Sequence, residues 1–179
     1  MEKSLIMMAA KEQGNYSSQI VAAKINGEVR DIQTQFTDGD TISFIELDSP
    51  LGWKIYRRSV LFLLIAAVNR IDRSAEVIAK FTVNKGLYCE IKIPGREITP
   101  AFIAEVDRTM RAMIAENLPI IKHSVPREEA IERFQKLGRS GKVNLLSELS
   151  KPVISIYTCE DYTDYLYGPM LYETQHLDQ

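Results

Sequence analysis

Nine consecutive apolar residues, Val60 to Val68 (VLFLLIAAV), set the first constraint on this fold. The run is about half of the ~20 residues that a bilayer-spanning helix needs. It is too apolar to lie on a surface, so it predicts a buried helix from about Lys54 to Asn69, around which other elements must assemble. Directly upstream stands Ser49-Pro50-Leu51-Gly52. Pro and Gly interrupt both helical and strand periodicity, which places a module boundary there. A chain of 179 residues can bury a core on either side of such a boundary, and divides at most into two small domains.

Upstream of the boundary, Leu5, Ile6, Met8 and Ala9 recur at helical spacing and predict a short amphipathic helix over 3–12. Ile20–Ile25 and Val29–Ile32 flank Asn26-Gly27, a strong two-residue hairpin signal, and Thr41–Leu47 predicts a third strand. Downstream, Ile78–Val83 and Leu87–Ile93 predict a hairpin around Asn84-Lys85-Gly86. Thr99-Pro100 opens a helix whose Phe102, Ile103, Val106, Met110, Met113 and Ile114 form one apolar stripe facing the core. A strand at Ile120–Val125, a helix opened by Pro126-Arg127-Glu128-Glu129, a short helix at Lys142–Leu149 and a strand at Pro152–Tyr157 follow. From Glu160 the chain reads as loop. The fold class expected is α+β, with helices laid on antiparallel sheet in the second module.

Composition excludes several classes. A net charge of −2 gives no global basic field, which argues against strong phosphate binding by the whole surface but leaves a local basic patch open. The two cysteines, Cys89 and Cys159, have no CxxC partner and predict buried free thiols, not a disulfide framework or a zinc site. Met1-Glu2-Lys3-Ser4 leads into a charged stretch without signal-peptide character, so a cytoplasmic location away from membranes is expected.

Motifs for chemistry are sparse. Gly138-Arg139-Ser140-Gly141-Lys142-Val143 has two residues between its glycines where a phosphate-binding P-loop needs four, and valine where that loop needs Ser or Thr. His123 and His176 lack the spacing for a shared metal, and no orienting partner marks His123 as a base. The segment from Tyr157 to Met170 holds four tyrosines and three carboxylates. Such a set either lines an aromatic, polar pocket or caps the core through its hydroxyls.

Read in order, these signals resemble a known family. Ala22-Ala23-Lys24-Ile25-Asn26-Gly27, Asp31 and Thr41-Ile42-Ser43-Phe44-Ile45 resemble the later half of the TGS (β-grasp) domain of threonyl-tRNA synthetase, whose opening hairpin has no counterpart here. Gly86-Leu87-Tyr88-Cys89-Glu90-Ile91, Ile98-Thr99, Asn117-Leu118-Pro119, Pro126-Arg127-Glu128-Glu129-Ala130, Lys142, Asp164 and Gly168-Pro169 resemble that synthetase's second, editing-type domain. The resemblance implies a partial β-grasp module over 1–49 and a two-layer, helix-on-sheet editing-like domain over 53–179.

The family's editing site carries an HxxxH pair on the first long helix and a CxxxH pair in the tail. Arg58 and Phe62 stand at the first pair, and Leu166 and Met170 at the second. Phenyl, isobutyl and thioether groups neither orient water nor take a proton, which implies no catalytic residues and no metal. The pattern also resembles the amino-terminal region of bacterial uridine kinase-like nucleoside kinases, where a comparable segment precedes a P-loop kinase domain. The leading expectation is therefore a non-catalytic, ligand-binding or regulatory region of such a kinase, with Arg58, Lys142, Asp164, Tyr165 and Tyr167 as ligand-binding residues. ATP and magnesium would belong to a downstream kinase domain alone. The ligand is left among nucleoside, nucleotide, amino acid and tRNA, and a homo-oligomer is left open. Two other readings stand beside it: a trans-editing hydrolase or RNA-binding module related to the synthetase, the hydrolase using Lys142, Asp164 and a water, and a spacer or dimerisation module whose pocket Phe62, Leu166 and Met170 have filled.

Overall fold

The computed structural model describes residues 4–6, 9, 14, 16–84 and 86–177. The architecture is mixed α and β, with small antiparallel sheets arranged around one long helix. Strands β1 (Ser4–Leu5), β2 (Ile20–Ile25), β3 (Glu28–Asp31), β4 (Gln35–Phe36) and β5 (Ile42–Glu46) precede helix α1 (Pro50–Ile71). Then come β6 (Glu76–Val83), β7 (Gly86–Lys92), α2 (Pro100–Ala115), β8 (Ile121–Pro126), α3 (Arg127–Lys136), α4 (Ser140–Ser147), β9 (Val153–Cys159), β10 (Tyr162–Asp164) and a 3-10 turn at Thr174–Leu177. Strands β3-β2-β5 form one sheet, β10-β9-β8 another, and β6-β7 and β1-β4 are separate pairs.

The hairpin β2–β3 turns at Asn26 and Gly27, both with positive φ, as a type I′ turn requires. Most of the helix expected over 3–12 lies outside the described residues. Ser4 and Leu5 instead pair with Phe36 and Gln35 as strand.

Helix α1 begins four residues before the expected Lys54. The Ser49 hydroxyl accepts the Gly52 N–H at 3.0 Å, and Pro50 sits in the first turn, where its missing N–H costs nothing. Pro and Gly thus start the helix here instead of separating it from a loop. Gly52 has a second role. A Cβ there would lie 2.0 Å from the Glu46 carbonyl oxygen and 2.8 Å from the Leu47 Cα, so only glycine lets the helix start rest on the end of β5.

That close approach merges the two halves of the chain. Val21, Ala22, Ile45 and Leu47 from upstream share one core with Ile55, Phe62, Leu63, Ala66 and Ala67 of α1 and with Met113, Ile120, Tyr157 and Met170 downstream. A second cluster sets Val68 against Ile93, Phe102 and Val106. Along α2 the expected stripe narrows: Phe102, Val106 and Met113 are buried, while Ile103 is 49% exposed because the helix presents only one face to α1. No helix among the described residues is long and apolar enough to cross a membrane.

The tail is more structured than its polar composition suggests. Glu160, with positive φ, closes a tight β9–β10 hairpin that pairs Tyr162 with Cys159. Further on, the buried Thr174 hydroxyl donates to the Met113 carbonyl at 2.6 Å and accepts the Leu118 N–H at 2.8 Å, stitching the end of the described chain to α2. Cys159 is buried and its thiol is pushed up to about 11 by desolvation; Cys89 is half-buried, and burial raises its pKa too.

Two outcomes follow from this packing. Gly52→Ala should destabilise the chain by more than ~2 kcal/mol in urea unfolding, because the clash is with backbone and no rotamer relieves it. Burial depresses the His176 pKa, with Glu173 opposing the shift, so the folded state binds fewer protons than the unfolded chain. Stability contributed by neutral His176 is therefore present above pH ~6.5 and lost as pH falls through the folded-state pKa. His176→Gln should flatten that part of the pH profile, measured as urea midpoints between pH 8 and 5.

Candidate functional site

The five expected ligand-binding residues fall on two sides of one tail segment. Residues 164–170 run past the middle of α1, with a cleft on either flank, and Leu166 lines both. Lys142 and Asp164 belong to one cleft, of about 650 Å³, between α4, β10 and the start of β6. Arg58, Tyr165 and Tyr167 belong to the other, of about 690 Å³, between β3 and the β8–β9 sheet.

In the first cleft Asp164 is 2% exposed and fully engaged. Its carboxylate accepts the Tyr162 hydroxyl at 2.7 Å and the Tyr165 N–H at 2.7 Å, and lies 2.8 Å from the Lys142 ammonium. Lys142 also donates to the Tyr165 carbonyl at 2.9 Å. Arg139 covers the group: it donates to the Thr163 carbonyl at 2.8 Å, and its guanidinium lies 4.6 Å from the centre of the Tyr162 ring. Burial and then the neighbouring Asp164 push the Tyr162 phenol well above its ordinary pKa, so it remains a donor. The Gly-Arg-Ser-Gly-Lys stretch is thus the clamp of a buried carboxylate. Arg139 and Tyr162, which sequence reasoning missed, are integral to it; the Arg139 position in that glycine-flanked turn was the available signal.

The four positions of the resembled editing motifs come together beside this clamp. Phe62 is fully buried with its ring centre 5.6 Å from that of Tyr162, Met170 is 2% exposed, and Leu166 packs on the same core. Arg58 lies one turn before Phe62 and donates to the Pro169 carbonyl at 2.5 Å. Gly168, at φ +102°, brings its Cα against that guanidinium; a Cβ would sit 2.9 Å from Arg58 Cζ. The Tyr157 hydroxyl donates to the Gly168 carbonyl at 2.8 Å, and the Ser59 hydroxyl accepts the Leu171 N–H at 2.8 Å. Hydrogen bonds from α1 and β9 therefore fix the tail, while apolar volume fills the wall where proton-transfer groups would stand. The tyrosines split between both roles anticipated for them: Tyr157 and Tyr162 cap the core, and Tyr167 is 72% exposed.

His123 contacts the Thr158 hydroxyl at 2.9 Å on the face of β8. No carboxylate orients it in the described hydrogen-bond network. The clamp has a direct energetic test: Lys142→Met leaves the Asp164 carboxylate buried without its counter-charge and should cost about 3 kcal/mol, against about 1 kcal/mol for Tyr162→Phe, read from urea midpoints.

With this geometry in place, the chain compares with known proteins as follows. It is 32% identical over 158 residues to a threonine–tRNA ligase of Syntrophotalea carbinolica, an alignment covering 87% of this chain and 25% of the ligase. A threonine–tRNA ligase of Clostridium tetani is 30% identical over 155 residues, and one of Anoxybacillus flavithermus 28% over 162 residues, covering 86% and 90% of this chain. No family model matches the sequence. The chain spans about a quarter of the length of the curated relatives it matches, and is similar to that region of threonyl-tRNA synthetases along most of its own length.

Proposed function

We propose that this chain is an editing-like module related to threonyl-tRNA synthetase that binds the acceptor end of an RNA in the Lys142 cleft without hydrolysing it. In this reading residues 1–49 correspond to a TGS-like β-grasp module and 53–179 to the editing-like domain. The observation that carries it is the pairing of an open cleft with a wall that cannot do chemistry. Lys142 and Asp164 neutralise each other, Tyr162 is held as a donor, and Phe62, Leu166 and Met170 are apolar. A deacylase must activate water near neutral pH, and no free base stands at this wall among the described residues. The cleft keeps a basic margin, Arg73 and Arg139; Arg73 pairs with Asp161, but both side chains of that pair are exposed and such a surface pair is weak enough to open to phosphate. Similarity to ligases that act on tRNA supports RNA as the ligand. A downstream kinase domain, with its ATP and magnesium, enters only with the nucleoside-kinase context, which gains no support from those ligases.

The test pairs two assays on the purified chain. A fluorescent acceptor-stem minihelix should bind with an affinity that falls steeply with salt. Arg73→Glu, at a side chain 80% exposed, should weaken that binding several-fold. Mischarged aminoacyl-tRNA should lose its amino acid no faster than in buffer. Turnover would replace this reading with the hydrolase that uses Lys142 and Asp164, and absence of minihelix binding would remove RNA as the ligand.

A further inference from the structure

The cleft between β3 and the β8–β9 sheet has a charge balance that the protein leaves incomplete. Two carboxylates line it, Glu28 and Asp31, and both are taken: Glu28 by Arg30, and Asp31 by Lys122 at 2.6 Å. The two other cations on its lining, Arg58 and Lys151, have no carboxylate partner among the described residues. A half-buried guanidinium without a counter-ion carries a desolvation cost that one carbonyl contact does not offset. Burial indeed lowers the Arg58 pKa, with the Tyr157 and Tyr167 phenols opposing the shift. Pro169 accepts one of the five guanidinium N–H donors; the fork retains capacity for a second, anionic acceptor.

Tyr167 connects the two cations. It lines the same cleft as Arg58, and the Lys151 ammonium sits 5.2 Å from its ring centre. The ring itself is 72% exposed, an unusual placement for a tyrosine whose neighbours Tyr162 and Tyr165 are buried. Exposed tyrosine beside unpaired cations suits a ligand that is at once anionic and flat. The volume, about 690 Å³, is within the range for a small-molecule site.

We propose that this second cleft binds a phosphorylated nucleoside, with the phosphate held between Arg58 and Lys151 and the base stacked along Tyr167. Guanidinium and ammonium take the phosphate oxygens, Ser124 and Ser155 on the sheet offer hydroxyls to the sugar, and the aromatic ring supplies base-tolerant stacking. A free nucleotide and a terminal nucleotide of RNA share this chemistry. The site lies across Leu166 from the Lys142 cleft and does not rest on what that cleft binds.

The experiment is calorimetric titration of the whole chain at low salt with AMP, adenosine, inorganic phosphate and a 5′-phosphorylated RNA trinucleotide. AMP or the trinucleotide should bind saturably, with adenosine and phosphate each weaker by at least ~10-fold. Lys151→Glu and Tyr167→Ala, at exposed side chains whose loss leaves the thermal melt unchanged, should each weaken binding ~10-fold. Tighter binding of the trinucleotide would identify RNA as the source of the group, and equal or tighter binding of AMP a free nucleotide. No binding of either, or wild-type affinity in both variants, would overturn the proposal. The minihelix and Arg73→Glu assays read the other cleft, so either proposal can fail alone.

Discussion

The whole structure hangs on the seating of helix α1 against β5 at Gly52. Once the helix start rests on the Glu46–Leu47 backbone, the apolar run of α1 has to face β2 and β5, α2, β6, β10 and the terminal 3-10 turn in succession. A helix surrounded in this way is apolar over most of its circumference, which is why its sequence resembles a membrane segment in kind but not in length. The same seating brings upstream strands and downstream helices into one core.

Burial on this scale dictates what polar groups α1 can carry. Ser59 is fully buried and tolerated because its hydroxyl accepts from Leu171 and donates to the Ile55 carbonyl at 2.9 Å. Arg58 is tolerated because it reaches past the tail to the cleft. Both residues act on 168–171, so the helix that builds the core also shapes the walls of the two clefts. A histidine-based site in the same place would need imidazoles with water around them, and Phe62 and Met170 have closed that space.

Much of this was legible from residues alone, for identifiable reasons. The Asn26-Gly27 hairpin, the β6–β7 hairpin and the Thr99-Pro100 helix start are local signals whose chemistry survives any tertiary context, and the structure has each of them. The start of α1 was misjudged because Pro50 and Gly52 break structure by propensity; here one is a first-turn residue and the other a contact requirement set by β5. Residues 160–164 read as loop because their composition is polar, yet the carboxylate of Asp164 is satisfied by groups as distant in sequence as Lys142. No window of sequence contains that pairing.

The candidate site shows the same limit from the other side. Grouping Arg58, Lys142, Asp164, Tyr165 and Tyr167 treated the tail as one lining, whereas a strand leaving a sheet alternates its side chains between two faces. Asp164 turns to the Lys142 clamp, Tyr167 turns to Arg58, and Leu166 stands between. The alternation separates a neutralised, buried pair from an exposed aromatic residue with unpaired cations, and those two environments have opposite consequences. In the first, Lys142 and Asp164 are spent on each other, so an RNA phosphate in that cleft would have to meet its Arg73 and Arg139 margin. The second keeps two cations without carboxylate partners among the described residues, so the Arg58 side of the tail has charge available for an anion of its own.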